Sequence, residues 1–428
     1  MTIYSGLQGA QGAQGAQGAQ GAQGAQGAQG ALGAWVPHFA QATVAPSAGL
    51  GPGADPAMSF ALTASREELV EPRLAATWDP PRTRLMPPVA AVRNAERWAD
   101  DIRVENCITA LMQPLNMRFT NGGQFVLRHM NITLAAGGLV LGVAPVVLQL
   151  KRPPERLFAL QTQMVFDMAD LRQERLSEIV GQLGIPMQFW AAITDLNPSN
   201  HRRTLEFLAV ALQALSHVNQ IAKHGLACLR PTAFSPSIQP MINPRRFGAF
   251  PCGHAAEAFL VAHLLRALSG QSPGSAFDTQ LQRLAKRISD NRVVAGVHFP
   301  VDNVAGRMVG VTFAEYVLAR CGVGPGTWQP RGFDGDLTLQ PGVPPEARAP
   351  QPSLMRDFDR HEPMDQATAG QTGLALPPYF EDLGAPQTVA QPLEDLDAYA
   401  ASPDIALGLL AHAWKLAKSE WADWATVA

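Results

Sequence analysis

The chain has few cysteines and little excess charge, and both features limit what it can be. Its 428 residues include only four cysteines, at irregular spacing, so neither a disulfide framework nor a common zinc pattern is present. Charged residues make up 16% of the chain and the net charge is −3. Without a basic field, no nucleic-acid partner is expected.

Targeting segments and long apolar runs are also scarce. Met1–Gln8 lacks a basic region followed by an apolar core, so no secretory signal is evident. The one candidate membrane segment, Ile132–Leu148, is at the short end for a span and contains Pro145. These features predict a cytoplasmic or peripheral protein. Membrane contact is allowed but not required, and homo-oligomerisation stays open.

Proline is absent from the most regular segment of the chain. From Gly6 to Gly33, glycine falls at every third position, mostly as Gly-Ala-Gln. Collagen has this period, but without proline at the other two positions a triple helix would be marginal. The segment 1–35 is therefore predicted to be a disordered low-complexity repeat.

Composition divides the rest of the chain into four parts. The predicted parts are an Ala/Pro-rich linker at 36–88, a helical domain that carries the candidate site at 89–325, a Pro-rich, low-order linker at 326–400, and a C-terminal amphipathic helix at 401–428. The simplest reading of the C-terminal helix is that its apolar face docks on the core.

Helical periodicity dominates the middle of the chain. Apolar residues recur at helical spacing over Glu155–Leu183, Arg203–Leu229, Ala255–Ser269 and Asp302–Cys321. No run of alternating Val, Ile and Thr indicates a sheet. The pattern therefore predicts an all-α bundle, with the site built at one end from facing helices.

Two cations lie near the end of one predicted helix. Lys223 and Arg230 are seven residues apart, which places them two turns apart on one helical face, and Pro231 stops the helix. Arginine suits bidentate contact with phosphate-like oxygens, and lysine supplies a point charge. Taken alone, such a pair reads as two surface cations.

A second cluster, Pro251-Cys252-Gly253-His254, lies where a loop turns into a helix. The free N–H groups of such a helix start attract an anion, and His254 is placed to protonate a leaving oxygen. Glu257, three residues on, reads as an acceptor for the first helical turn. Without its neighbours, His254 would read as an ordinary buried or capping histidine.

A third cluster joins a cation, an imidazole and a carboxylate. His298 and Asp302 are four residues apart, so on one helical face the carboxylate would hold the imidazole. An imidazole with a fixed tautomer is a better nucleophile or ligand. Arg292 is placed to clamp a further oxygen. Asp302 alone would read as a helix-start charge.

Together, the clusters resemble a three-part signature: Lys-x6-Arg-Pro, then Pro-Ser-Gly-His, then Arg-x5-His-x3-Asp. The signature belongs to the superfamily of type 2 phosphatidic acid phosphatases, bacterial non-specific acid phosphatases and vanadium-dependent haloperoxidases. All three parts occur in order between Lys223 and Asp302. The resemblance implies an all-α bundle of the acid phosphatase and haloperoxidase type.

The resemblance also implies a role for each matched residue. Those that would bind phosphate or vanadate oxygens are Lys223, Arg230, Cys252, Gly253 and Arg292. In the phosphatases, which need no cofactor, the position of His298 is the nucleophile that forms a phosphohistidine, and Asp302 orients it. The position of His254 protonates the leaving group and then helps to activate water. In the haloperoxidases, the position of His298 binds the vanadium of the vanadate cofactor, and His254 acts on bound peroxide.

Two departures from the signature bear on the choice of chemistry. Cys252 and Asn291 stand where the superfamily usually has serine, and a thiol is the weaker hydrogen-bond donor. An exposed thiol beside peroxovanadate would be oxidised, and the interval between His254 and Arg292 is short, as in the phosphatases. The sequence thus predicts a metal-independent hydrolase of a small phosphate-bearing substrate. A vanadate-dependent haloperoxidase, or a non-catalytic relative in which Cys252 marks decay, stays open.

Overall fold

The computed structural model describes residues 60–61, 64–65, 91–130, 132–135, 138–141, 144–184, 186–244, 247–334, 380–388 and 405–426. The predicted disordered repeat at 1–35 lies outside these residues, as do most of the predicted linkers at 36–88 and 326–400.

The described elements alternate between a helical bundle and a small sheet. Helices α1 to α9 span Asp100–Met112, Glu155–Asp167, Arg172–Gly181, Met187–Thr194, Arg202–Leu226, Gly253–Ser269, Ala276–Val294, Pro300–Arg320 and Ile405–Ser419. Strands β1 to β9 span Leu115–Phe119, Gln124–His129, Ile132–Ala135, Gly138–Leu141, Val146–Lys151, Thr327–Trp328, Arg331–Asp334, Phe380–Asp382 and Gln387–Thr388.

Helix α6 is the centre of the bundle and is buried along almost its whole length among α5, α7 and α8. It ends at Ser269, and the next residue, Gly270, has a φ of 77° and forms the left-handed turn that closes the helix. A Cβ at Gly306 of α8 would lie 2.5 Å from the carbonyl oxygen of Cys252, and one at Gly310 would lie 2.3 Å from that of Ala256. Glycine at these positions therefore lets α8 approach the start of α6.

Two of the predicted helices differ from the observed ones. The helix predicted over Glu155–Leu183 is divided into α2 and α3, because the chain makes a 3-10 turn at Met168–Leu171. The helix predicted to reach Leu229 ends at Leu226, because Ala227 takes a left-handed conformation with a φ of 49°.

The described residues are mostly helical, as predicted, but the prediction that the chain forms no sheet is wrong. Strands β1, β2, β5, β7 and β8 form one sheet in that order. Strand β7 runs parallel to β5, with Leu148 opposite Arg331, and the other neighbours are antiparallel. The strands are short, and β5 pairs with β7 over a long sequence distance, so no alternating run signals the sheet. The sheet extends beyond residue 325, the predicted end of the helical domain.

Among its described residues, the candidate membrane segment Ile132–Leu148 contains strands and no helix. Its first part is the hairpin of β3 and β4, in which Ile132 pairs with Leu141 and Ala135 pairs with Gly138. Its last part begins β5 in the main sheet. Among the described residues, no helix combines the length and the apolar character needed to cross a bilayer.

The C-terminal helix α9 packs against α1 and α5. Leu410 and the following Trp421 are buried in the main core. The carboxylate of Glu420 accepts hydrogen bonds from the backbone N–H groups of Arg203 and Thr204, at 2.7 and 2.8 Å. These two donors belong to the first turn of α5 and have no partner within that helix. The C-terminal segment therefore caps the helix that carries Lys223.

Replacing Glu420 with alanine should lower the free energy of unfolding by about 1–2 kcal/mol, because the first turn of α5 loses both its acceptor and a favourable charge. Urea denaturation measures the change. The matched control is Lys415→Ala, an exposed residue of the preceding helix α9, which should change stability by less than about 0.5 kcal/mol. Equal stability of the two variants would contradict a capping role for Glu420.

Candidate active site

The three sequence clusters meet where α5, α6, α7 and α8 begin or end. Of the three cations, Lys223 lies in the last turn of α5, Arg230 follows that helix, and Arg292 lies in the last turn of α7. The start of α6 carries Cys252, Gly253 and His254. The start of α8 carries Asp302, with His298 just before it. All these residues are buried. The most exposed of them is Arg230, with 8% of its surface accessible to solvent. Charges this deep need specific partners.

His298 is held from both sides. Its Nδ1 lies 3.1 Å from Oδ2 of Asp302, and its Nε2 lies 2.9 Å from Nη1 of Arg230. A guanidinium only donates, so Nε2 is the acceptor and Nδ1 carries the proton. Burial, followed by the charges of Arg230 and Lys223, holds the pKa of His298 well below its ordinary value. The neutral ring thus has the tautomer that a nucleophile requires.

The contact between His298 and Asp302 does not come from the helical stacking predicted from their spacing. Helix α8 begins at Pro300, so His298 precedes it, and Asp302 reaches back from the first turn. The same Oδ2 accepts the N–H of Phe299 at 2.9 Å. Asp302 is therefore both a helix-start acceptor and the partner of the imidazole. Burial raises the pKa of its carboxyl above the ordinary range.

Arg230 does not share a helical face with Lys223, which corrects the prediction from their spacing. It lies in the extended segment after α5. Its Nη1 donates to the carbonyl oxygen of Val297 at 2.7 Å, and its Nε donates to that of Phe247 at 3.2 Å. Its guanidinium carbon lies 4.8 Å from the centre of the Phe247 ring. These contacts hold the guanidinium beside Nε2 of His298.

The ammonium group of Lys223 donates three hydrogen bonds to backbone carbonyl oxygens of the loop before α6. It donates to the carbonyl oxygens of Gly248 at 3.2 Å, Ala249 at 2.9 Å and Pro251. A Cβ at Gly248 would lie 2.6 Å from the carbonyl oxygen of Lys223, so glycine allows this close approach. Burial, followed by the charge of Arg230, lowers the pKa of Lys223. A direct contact between Lys223 and phosphate stays a prediction.

Arg292 is fully buried and only partly paired. Its Nη2 donates to the carbonyl oxygen of Ile179 at 3.3 Å and to Oε1 of Gln182 at 3.2 Å. Its Nε and Nη1 have no hydrogen-bond partner within the described part of the chain. Burial lowers its pKa to about 10. An oxyanion would satisfy these free donors, because guanidinium groups bind such oxygens in pairs.

Residues 204–321, which contain all three clusters, match the family model of the PAP2 superfamily. The chain contains a PAP2-superfamily domain. The matched segment runs from α5 to just beyond α8 and includes every predicted site residue. The match supports phosphoester hydrolysis of the phosphatase type. No curated protein matches the chain.

A residue outside the PAP2 segment connects its second and third motifs. Gln182, fully buried just after α3, accepts from Nε2 of His254 at its carbonyl oxygen, 3.0 Å away. Its side-chain Oε1 accepts from Nδ2 of Asn291 at 2.9 Å and from Arg292. Sequence reasoning missed Gln182, because one glutamine at a helix end carries no local signal. The contact also assigns the proton of the neutral His254 ring to Nε2.

Asn291 keeps polar contacts where the superfamily usually has serine. Besides Gln182, its Nδ2 donates to Glu178 of α3 at 3.1 Å, and its Oδ1 accepts from Nη1 of Arg175 at 3.3 Å. Glu178 in turn accepts two hydrogen bonds from Arg287, at 2.7 and 2.8 Å. This network connects the end of α7 to α3 and so positions Arg292, the arginine of the third motif.

Cys252 and Gly253 form the start of α6 in the PAP2 domain. The N–H of Cys252 donates to the carbonyl oxygen of Asp302 at 2.8 Å, which ties α6 to α8. The thiol is fully buried, and burial raises its pKa to about 11, so it stays neutral. The N–H of Gly253 is one of the helix-start donors without a partner inside the helix. Within the described residues, no cluster of His, Cys, Asp and Glu could hold a metal ion.

Proposed function

We propose that this protein is a metal-independent phosphate-ester hydrolase that works through a phosphohistidine at His298. The observation that carries the proposal is the fixed tautomer of this imidazole. The N–H of Nδ1 donates to Oδ2 of Asp302, and the lone pair of Nε2 points to Arg230, where the phosphate would bind. Because the ring is held neutral by burial, no base is needed to activate it.

In the first step, Nε2 of His298 attacks phosphorus and the bond to the leaving oxygen breaks. Arg230 would turn from Nε2 to a phosphate oxygen, and the free donors of Arg292 and the N–H of Gly253 would bind the other oxygens. The carboxylate of Asp302 stabilises the positive charge that develops on the ring. The leaving oxygen takes a proton from His254, whose pKa the incoming phosphate dianion raises.

In the second step, His254 takes a proton from water, and the resulting hydroxide attacks the phosphohistidine. The bond between phosphorus and Nε2 breaks, which releases inorganic phosphate and restores the neutral His298. Lys223 holds the loop before α6 in both steps, and its charge adds to the positive potential of the site. The small phosphate-bearing substrate predicted from the sequence fits this scheme.

Vanadate-dependent haloperoxidase chemistry is the second candidate. Vanadate would bind among the same three cations, Lys223, Arg230 and Arg292, with His298 as its ligand. The burial of Cys252 favours this candidate more than the sequence did, since a thiol shielded from solvent is less open to oxidation. The two candidates therefore need to be separated by an assay.

Purified protein should hydrolyse an aryl phosphate in the presence of EDTA, because the three buried cations supply the positive charge that metal ions provide elsewhere. Orthovanadate, which mimics the transition state, should inhibit competitively with an inhibition constant at least about 100-fold below KM. Release of phosphate measures both. Activity that EDTA abolishes and a divalent cation restores would contradict the proposal, and bromination with vanadate, peroxide and bromide would establish the second candidate.

A further inference from the structure

The side-chain amide of Gln182 has one satisfied atom and one unsatisfied atom. Its Oε1 accepts from Nδ2 of Asn291 at 2.9 Å and from Nη2 of Arg292 at 3.2 Å. Its Nε2 is fully buried and has no hydrogen-bond partner within the described part of the chain. A buried donor without an acceptor costs free energy, so a ligand that supplies an acceptor would be favoured at this point.

The orientation of this amide is set by its neighbours. A guanidinium only donates, so the atom that faces Nη2 of Arg292 is the oxygen. Asn291 gives the same orientation, because its Oδ1 accepts from Nη1 of Arg175 and its Nδ2 is left to donate to Gln182. Exchanging the oxygen and the nitrogen of Gln182 would place its N–H groups against two other donors. The unpaired atom is therefore a donor, and an anionic oxygen would suit it.

This N–H group lies close to the other unpaired donors of the site. The nitrogen of an amide lies about 2.2 Å from its oxygen, so Nε2 of Gln182 is no more than about 5.5 Å from Nη2 of Arg292. Nε and Nη1 of that guanidinium are also unpaired among the described residues. The backbone carbonyl of Gln182 accepts from Nε2 of His254 at 3.0 Å. One residue therefore contacts both the arginine that would bind the oxyanion and the histidine that would protonate the leaving group.

We propose that Nε2 of Gln182 donates a hydrogen bond to the bound oxyanion, at a phosphate oxygen that also meets the unpaired N–H groups of Arg292. The inference rests on the proposed function and extends its site beyond the matched segment 204–321. It also connects the two departures from the superfamily signature. The thiol of Cys252 is a weaker donor than the usual serine hydroxyl, and the amide of Gln182, held by Asn291, supplies a stronger one.

Gln182→Met tests the assignment, because it keeps the length of the side chain and removes Nε2. The wild-type protein should bind inorganic phosphate about tenfold more tightly than this variant, which is the size of one hydrogen bond to a charged group. A titration followed by phosphorus NMR gives the dissociation constants. The matched control is Gln173→Met, at an exposed glutamine of α3, which should bind phosphate as the wild-type protein does.

A double-mutant cycle distinguishes direct contact from a positioning role. Gln182→Met also removes Oε1, which holds the guanidinium of Arg292, but in an Arg292→Met protein there is no guanidinium to hold. A loss of about tenfold in both backgrounds would establish contact with the oxyanion. A loss confined to the wild-type background would make Gln182 a positioning residue and overturn the inference.

Gln182→Glu keeps the test open if Gln182→Met does not fold. It retains an acceptor for Asn291 and Arg292 and places a second oxygen where the donor was, so it should bind phosphate more weakly in both backgrounds. Phosphate affinity equal to that of the wild-type protein would overturn the inference.

Binding and hydrolysis together separate this inference from the proposed function. Weaker phosphate binding by Gln182→Met in both backgrounds, without hydrolysis of an aryl phosphate by the wild-type protein, would support the donor and refute the phosphatase. Hydrolysis by the wild-type protein, with unchanged kcat/KM and phosphate affinity in Gln182→Met, would support the phosphatase and overturn the donor.

Discussion

Replacing His298 with alanine is expected to lower kcat for an aryl phosphate by about 10³-fold or more, because the proposed covalent intermediate forms on Nε2 of this residue. The lone pair of Nε2 lies beside the guanidinium of Arg230, and Asp302 fixes its direction. Steady-state phosphate release gives the loss. Rapid quenching in alkali with labelled substrate should trap a phosphorylated wild-type protein and no phosphorylated variant.

The matched control is His217→Ala, an exposed histidine on α5 that should retain full activity. Asp302→Asn tests the charge alone, because both hydrogen bonds of Asp302 use Oδ2, and an amide oxygen in that place can accept both. Its loss should be smaller than that of His298→Ala. Substantial turnover and labelling in His298→Ala would refute His298 as the nucleophile.

The sequence predicts which residues form this site better than it predicts how they are arranged. Each of the three short clusters has an ordinary reading when taken alone, and their order and spacing, which resemble the superfamily signature, single them out. The contact of His298 with Asp302 was predicted from helical spacing, whereas it comes from a carboxylate that reaches back over the start of α8. Spacing indicates that two residues are near each other, but the position of the helix start decides how they meet.

Arg230 shows why helical spacing is not enough. The apolar period continues past Leu226, and Pro231 is the first strong stop signal, so the sequence extends the helix to Leu229. The actual end is the left-handed Ala227, which carries no signal, because glycine or asparagine is the usual residue there. The early end releases Arg230 from the helix and lets it reach His298.

Long-range contacts account for what the sequence does not predict. Gln182 meets Asn291 and Arg292 across more than a hundred residues, and β5 pairs with β7 over a similar distance. Neither contact leaves a local period. Such contacts depend on how distant elements pack together. Only the three-dimensional structure therefore shows that Gln182 supports the site.

Replacing Arg292 with methionine is expected to lower catalytic activity strongly and at the same time to stabilise the free protein. Among the described residues, the fully buried guanidinium donates to no carboxylate, and its Nε and Nη1 are unpaired. An apolar side chain of similar length removes this cost, so the free energy of unfolding should rise by about 1–3 kcal/mol. The site loses the unpaired N–H groups of Arg292 that would bind phosphate oxygens, so kcat/KM should fall by about 10²–10³-fold.

Orthovanadate makes the two effects visible in one experiment. At about 100 times its dissociation constant it should stabilise the wild-type protein by about 2.7 kcal/mol, and it should not stabilise Arg292→Met. The control is Arg287→Met, five residues earlier on α7, where the guanidinium is paired with Glu178. That variant should lose stability and keep its response to vanadate. An Arg292→Met protein that is less stable than wild type and still stabilised by vanadate would show that this arginine holds the fold and not the oxyanion.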